Sequence, residues 1–131
     1  MAAANNNNQN LTDALNARCN ELFSKYYDQG RYKECFDGFM ELAERSFPRA
    51  ECQIAYFYYW GVGVNKDMEL SLYWTLRSAV HGDMVAEFNM GKFYEDGNML
   101  KKDDAMAAKW YRSSAARGYQ EAIEKCKSLG L

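Results

Sequence analysis

Apolar residues along this chain recur at helical spacing and are divided by polar, glycine-rich breaks into short paired runs. From Ala50, the residues Ile54, Ala55 and Tyr58 follow the i, i+4, i+8 pattern of an amphipathic helix, which Gly61 ends by its freedom to turn left-handed. A loop follows to Lys66, and Asp67 stands where an N-cap carboxylate would accept from the orphan amides of the next turn. Leu70, Trp74 and Ala79 then mark a second helix running to Gly82. The plan recurs with Ala86, Met90, Gly91 and Tyr94, a stop at Gly97, a cap at Asp103, and a helix through Ala107, Ala108, Trp110, Tyr111 and Ala115 to Gly118. Upstream, Leu15, Cys19, Leu22, Phe23 and Tyr26 predict one helix between Asn10 and Gln29, and Tyr32, Cys35, Phe36, Phe39, Leu42 and Ala43 predict its partner before Pro48. Gln120 to Leu129 holds Ala122, Ile123, Cys126 and Leu129, a lone amphipathic helix suited to capping the apolar flank of a stack.

Sliding the sequence by 36 residues superposes Ala50 on Ala86 and Ala122, Tyr58 on Tyr94, Gly61 on Gly97, Asp67 on Asp103, Trp74 on Trp110, Ser78 on Ser114 and Gly82 on Gly118. Repeat-matched rings, Tyr58, Tyr94, Trp74 and Trp110, are expected to stack between units. The small residues Ala55, Gly91, Ala79 and Ala115 are expected to let the two helices of a hairpin approach closely. The expected organisation is a disordered tail over residues 1–10 and one repeat domain over 11–131. That domain divides into a hairpin at 11–49, units at 50–85 and 86–119, and a capping helix at 120–131.

Composition narrows the chemistry. The 131 residues carry 16 basic and 18 acidic side chains, scattered and close to balance, without the clustered positive excess of a nucleic-acid footprint. No stretch approaches the apolar length of a membrane span, so neither nucleic acid nor membrane is expected as partner. The N-terminus has neither a basic start nor an apolar block, and the polar Asn5–Asn10 leader buries nothing, so a cytoplasmic location is expected. Cys19, Cys35, Cys52 and Cys126 form no Cys-x-x-Cys pair and read as small hydrophobes on helix faces. His81 is the only histidine and stands at a predicted helix end, where it would meet the last carbonyls. Asp103-Asp104 and Glu95-Asp96 are adjacent carboxylates, but at helix ends where caps and solvated charge belong. No phosphate loop, nucleophile turn or metal spacing is present, so neither catalysis, a cofactor nor a metal is expected.

The string Ala50, Tyr58, Gly61, Gly63, Val64, Asp67, Trp74, Ala79, Gly82, repeated as Ala86, Gly91, Tyr94, Gly97, Asp103, Ala107, Trp110, Tyr111, Ala115, Ala116, Gly118, resembles the Sel-one-like repeat (SLR) family, relatives of tetratricopeptide repeats. Residues 10–49 look more like a plain tetratricopeptide hairpin. Met99 and Leu100 depart from the family's Gly and Val, Ser71 from its Ala, and Thr75 from its Tyr. The resemblance implies an all-α fold, a right-handed α-α superhelix (solenoid) of three antiparallel hairpins and a capping helix, used as an adaptor or scaffold for other proteins.

In such stacks the first helix of each unit lines the concave side. Arg49, Cys52, Tyr56 and Tyr59 form a stripe about 130° round the helix from its core face. The next unit places Val85, Phe88, Lys92 and Glu95 there, and the opening hairpin adds Tyr27. The expected partner-binding groove is therefore Tyr27, Arg49, Cys52, Tyr56, Tyr59, Phe88, Lys92 and Glu95, taking a peptide or protein. Tyrosine and arginine are the residues that dominate interface energies. Five successive rings, Tyr56 to Trp60, sweep round a helix and cannot all face one core. Two rival occupants keep the interaction class: a cognate toxin neutralised by an immunity or antitoxin protein, and a second copy of the chain in a homodimer or larger structural assembly.

Overall fold

A computed structural model describes residues 2–131, with side chains from Asn6 onward. Seven α-helices and no strand occur among the described residues: α1 Ala2–Leu22, α2 Tyr32–Glu44, α3 Pro48–Trp60, α4 Met68–Val80, α5 Met84–Asp96, α6 Asp104–Ala116 and α7 Gln120–Leu129. Pairs α1/α2, α3/α4 and α5/α6 form consecutive antiparallel hairpins in a right-handed solenoid, and α7 covers the last one.

Helix boundaries follow from local chemistry. Gly61 and Gly97 end α3 and α5 at φ 70° and 66°, each returning its amide to a carbonyl of the preceding turn. Asp67 and Asp103 cap α4 and α6 by accepting from the amides of Leu70 and Met106, both at 3.0 Å. Asp83 caps α5 in the same way through Ala86 at 2.8 Å. Ser78 donates to the Pro48 carbonyl and Ser114 to the Met84 carbonyl, both at 2.7 Å, so the period is written in hydrogen bonds as well as in side-chain type.

The N-terminal segment corrects the sequence reading. Residues 2–10, expected as a disordered tail, continue α1, while Met1 lies outside the described residues. Asn6 through Ala14 are exposed, so this stretch buries nothing. It extends a helix already fixed downstream by Cys19 and Leu22, since adding a residue to an existing helix costs far less than nucleating one. Gln9 donates to Asp13 across one turn at 2.9 Å. The single helix expected up to Gln29 instead leaves α-geometry after Leu22 and passes through a π-helical turn at Phe23–Tyr27.

In the two 36-residue units one repeat-matched pair of positions lies between the helices of the hairpin. In the second unit the pair is Gly91 and Tyr111, where a Cβ added to the glycine would lie 2.5 Å from the ring. The matching positions in the first unit are Ala55 and Thr75, a slightly larger residue for the glycine and a much smaller one for the tyrosine, and both line the cleft described below.

Each unit also buries a carboxylate that the sequence reading did not single out. Glu51 and Glu87, 36 residues apart, are 0% and 2% exposed. Glu51 is held by Arg77 at 2.7 Å and by His81 Nδ1 at 2.6 Å. His81 therefore turns to a buried carboxylate rather than to the last carbonyls of α4. Glu87 receives the hydroxyl of Ser113, and Arg117 Nε lies 2.7 Å from its other oxygen. The cation has moved by one helical turn between units, from residue 77 to residue 117, and closes the same charge.

Four variants test this packing. Gly91→Ala should lose about 1–3 kcal/mol by overpacking against Tyr111. Combined with Tyr111→Thr, it should lose less than the two single losses together, as measured by urea unfolding. Arg117→Ala should lose about 2 kcal/mol, below the usual range for a fully buried pair because Arg117 is half exposed. Arg77→Ala should lose less, because His81 still faces Glu51.

Candidate binding cleft between the repeats

Three exposed rings gather on one wall. Tyr56, Tyr59 and Trp60 are 45%, 38% and 61% exposed at the C-terminal half of α3. They border a cleft of about 320 Å³ between α3 and α5, floored by α4. Cys52, Gln53 and Ala55 complete the α3 wall, and Val85, Asn89, Lys92, Phe93 and Asp96 form the wall on α5. Met68, Ser71 and Thr75 make the floor.

The floor is chemically closed. Ser71 donates to the Ala55 carbonyl at 2.8 Å and Thr75 to the Ser71 carbonyl at 2.7 Å, so both hydroxyls are satisfied without an occupant. Burial, the nearby Asp83 carboxylate and a hydrogen bond with it push the Cys52 thiol far above its ordinary range. Cys52 thus presents a neutral SH, not a nucleophile. Lys92 and Asp96 are the charged groups of the lining.

Four of the eight groove residues expected from sequence line the cleft: Cys52, Tyr56, Tyr59 and Lys92. The other four are engaged within the fold. Tyr27 is half-buried, with its ring 5.2 Å from Tyr32 and 6.3 Å from Phe57. Arg49 ties α3 to α1 by donating to Asn16 at 2.9 Å and Asn20 at 3.0 Å. Phe88 packs on Tyr111 and Tyr119, both at 5.4 Å between ring centroids. Glu95 accepts from the Tyr111 hydroxyl at 2.6 Å and from Lys125 at 2.7 Å.

Sequence reasoning missed Trp60 and Asn89. Trp60 lies one turn beyond Tyr56 and extends the same ring surface, a signal visible at i, i+4. Asn89 carries no such signal and is recognisable only once α5 is set beside α3. No metal-binding cluster occurs among the described residues, and no described helix is long and apolar enough to cross a membrane.

The Sel1 repeat pattern matches residues 48–83 and 85–119, more than half of the chain and the two units whose packing is described above. The chain belongs to the Sel1 repeat family. It is similar to the Sel1 repeat protein from Oxalobacter formigenes, whose crystal structure superposes with a TM-score of 0.72 at 33% identity, covering 79% of this chain and 42% of that one. The fold also matches a protective antigen of uropathogenic Escherichia coli strains that displays an SLR fold, with TM-score 0.72, 23% identity, and 95% and 27% of the two chains covered. Chitin synthase regulator SKT5 of Saccharomyces cerevisiae is 36% identical over 63 residues, which are 48% of this chain and 9% of the regulator. The chain thus spans less than half the length of each of these relatives. Sel1 repeats form a repeat-scaffold family whose members generally mediate protein–protein interaction.

Burial raises the Glu95 carboxyl, but bonds from Lys125 and Tyr111 outweigh it and hold the group below its ordinary range. A carboxylate depressed on folding contributes stability that is present above its unfolded pKa and lost as pH falls through the folded value. Urea unfolding across an acid series should therefore show stability falling below the usual carboxylate range, and Glu95→Gln should flatten that part of the curve.

Proposed function

We propose that this Sel1 repeat protein is a non-catalytic interaction module that holds a peptide or protein segment against the α3/α5 face, with Tyr56, Tyr59 and Trp60 as its principal contact surface. The observation that carries this reading is the cluster of three part-exposed rings bordering a cleft between repeats. Large, rigid side chains with a polar tip supply interface area at small entropic cost, and rings of this kind dominate measured binding energies. The general role of the family supports the same class. The reading places the protein in the cytoplasm, where its four unpaired thiols stay reduced.

The test begins with displayed random peptides selected on the wild-type chain. Tyr56→Ala combined with Tyr59→Ala should weaken the selected peptides about 30-fold or more by calorimetry, the loss of about 2 kcal/mol typical of a hot spot. The same variant should change folding stability by less than about 1 kcal/mol, because both rings are substantially exposed. Peptides that ignore both rings would refute the face. Dilute light scattering showing a dimer that these substitutions dissolve would make a second copy of the chain the occupant.

A further inference from the structure

The two repeat units treat one volume differently. In the second unit Tyr111 is fully buried, and its ring sits among Gly91, Phe88, Glu95 and Lys125. Moving each of these back by 36 residues gives Thr75 for the tyrosine, and Ala55, Cys52, Tyr59 and Asn89 for its surroundings. All five are lining residues of the cleft. The cleft is therefore the place in the first unit that a tyrosine side chain fills in the second, left open because residue 75 is threonine.

We propose that this cleft is a receptor site for one uncharged aromatic side chain, Tyr or Phe, presented by a bound peptide, which takes the place that Tyr111 takes one repeat later. The proposal rests on the interaction reading above and names the chemistry of the partner at that same face. Size supports it: about 320 Å³ lies at the small end of ligand sites and suits a side chain rather than a larger cofactor. Charge supports it as well. The lining holds one cation, Lys92, and one carboxylate, Asp96, so it carries no net charge and favours a neutral ring over a charged head. Where the second unit supplies Glu95 to the phenol hydroxyl, the first supplies Tyr59 and Asn89, which can meet a hydroxyl without burying a charge. The floor hydroxyls of Ser71 and Thr75 are already bonded, so an apolar ring edge strands no donor there.

The fill is tested with Ala55→Gly combined with Thr75→Tyr, which recreates the second unit's pair. Selected peptides should share one aromatic residue, lose about tenfold or more in affinity when that residue becomes alanine, and lose as much on the filled variant. Should the filled variant fail to fold, the wild-type chain is titrated with p-cresol, the tyrosine side chain alone, and with isobutanol as an aliphatic control. p-Cresol should shift the amide resonances of Ala55, Thr75 and Asn89 and isobutanol should not. Peptides that need Tyr56 and Tyr59 but no aromatic residue of their own, and that bind the filled variant unchanged, would overturn the ring site and leave the interaction face standing. Peptides independent of Tyr56 and Tyr59 would overturn both, and p-cresol leaving those amides unmoved would overturn the ring site.

Discussion

Two helices of a hairpin can approach only as far as the side chains at their crossing allow, and the close Gly91–Tyr111 contact of the second unit is matched in the first by Ala55 and Thr75. Glycine against tyrosine and alanine against threonine are alternative ways to fill the crossing. The first packs the volume from within, because the missing Cβ of Gly91 lets the Tyr111 ring lie close against α5. The second leaves the outer part of that volume to solvent, because neither Ala55 nor Thr75 reaches it. Protein interiors tolerate few voids, so an opening at a repeated position is a local property of the sequence and not of the fold.

Buried charge follows a similar logic of substitution. An unpaired carboxylate at the depth of Glu51 or Glu87 would cost several kcal/mol. Both sit in the first turn of a helix, whose N-terminal dipole favours negative charge. Both are then closed by side chains from the end of the following helix. Arginine and histidine perform this for Glu51, serine and arginine for Glu87. What recurs is the closed charge, while the residue that closes it varies. These contacts join α3 to α4 and α5 to α6, the pairs that carry the walls and floor of the cleft.

The repeat was legible because the residues that define it act locally. Glycine stops, aspartate caps and small residues at crossings each act within one or two turns, and a 36-residue shift aligns them. The buried glutamates were not legible, because glutamate on a helix is ordinarily a solvated charge and only the arrival of Arg77, His81 or Arg117 from the next helix makes it otherwise. The helical continuation before residue 11 was hidden for a similar reason: asparagine-rich sequence reads as a tail, and the helix there is an extension of structure fixed further along. Of the residues selected by helical phase, Cys52, Tyr56, Tyr59 and Lys92 line the cleft, while Arg49, Phe88 and Glu95, on the same stripe, find partners in α1, α6 and α7 that phase alone does not reveal.

That division also explains why the three exposed rings bordering the cleft all belong to one unit. Tyr56 and Tyr59 are replaced 36 residues on by Lys92 and Glu95, a pair of charges where the first unit has rings. Glu95 is consumed by Tyr111 and Lys125, so the internal tyrosine of the second unit also takes up the carboxylate that stands in the place of Tyr59. Lys92, with Nζ 5.8 Å from the Phe88 ring, leans between the two units and joins the lining of the first. The threonine at position 75 leaves its unit with unfilled volume, and the exposed rings beside it are apolar surface from whose covering a partner would gain.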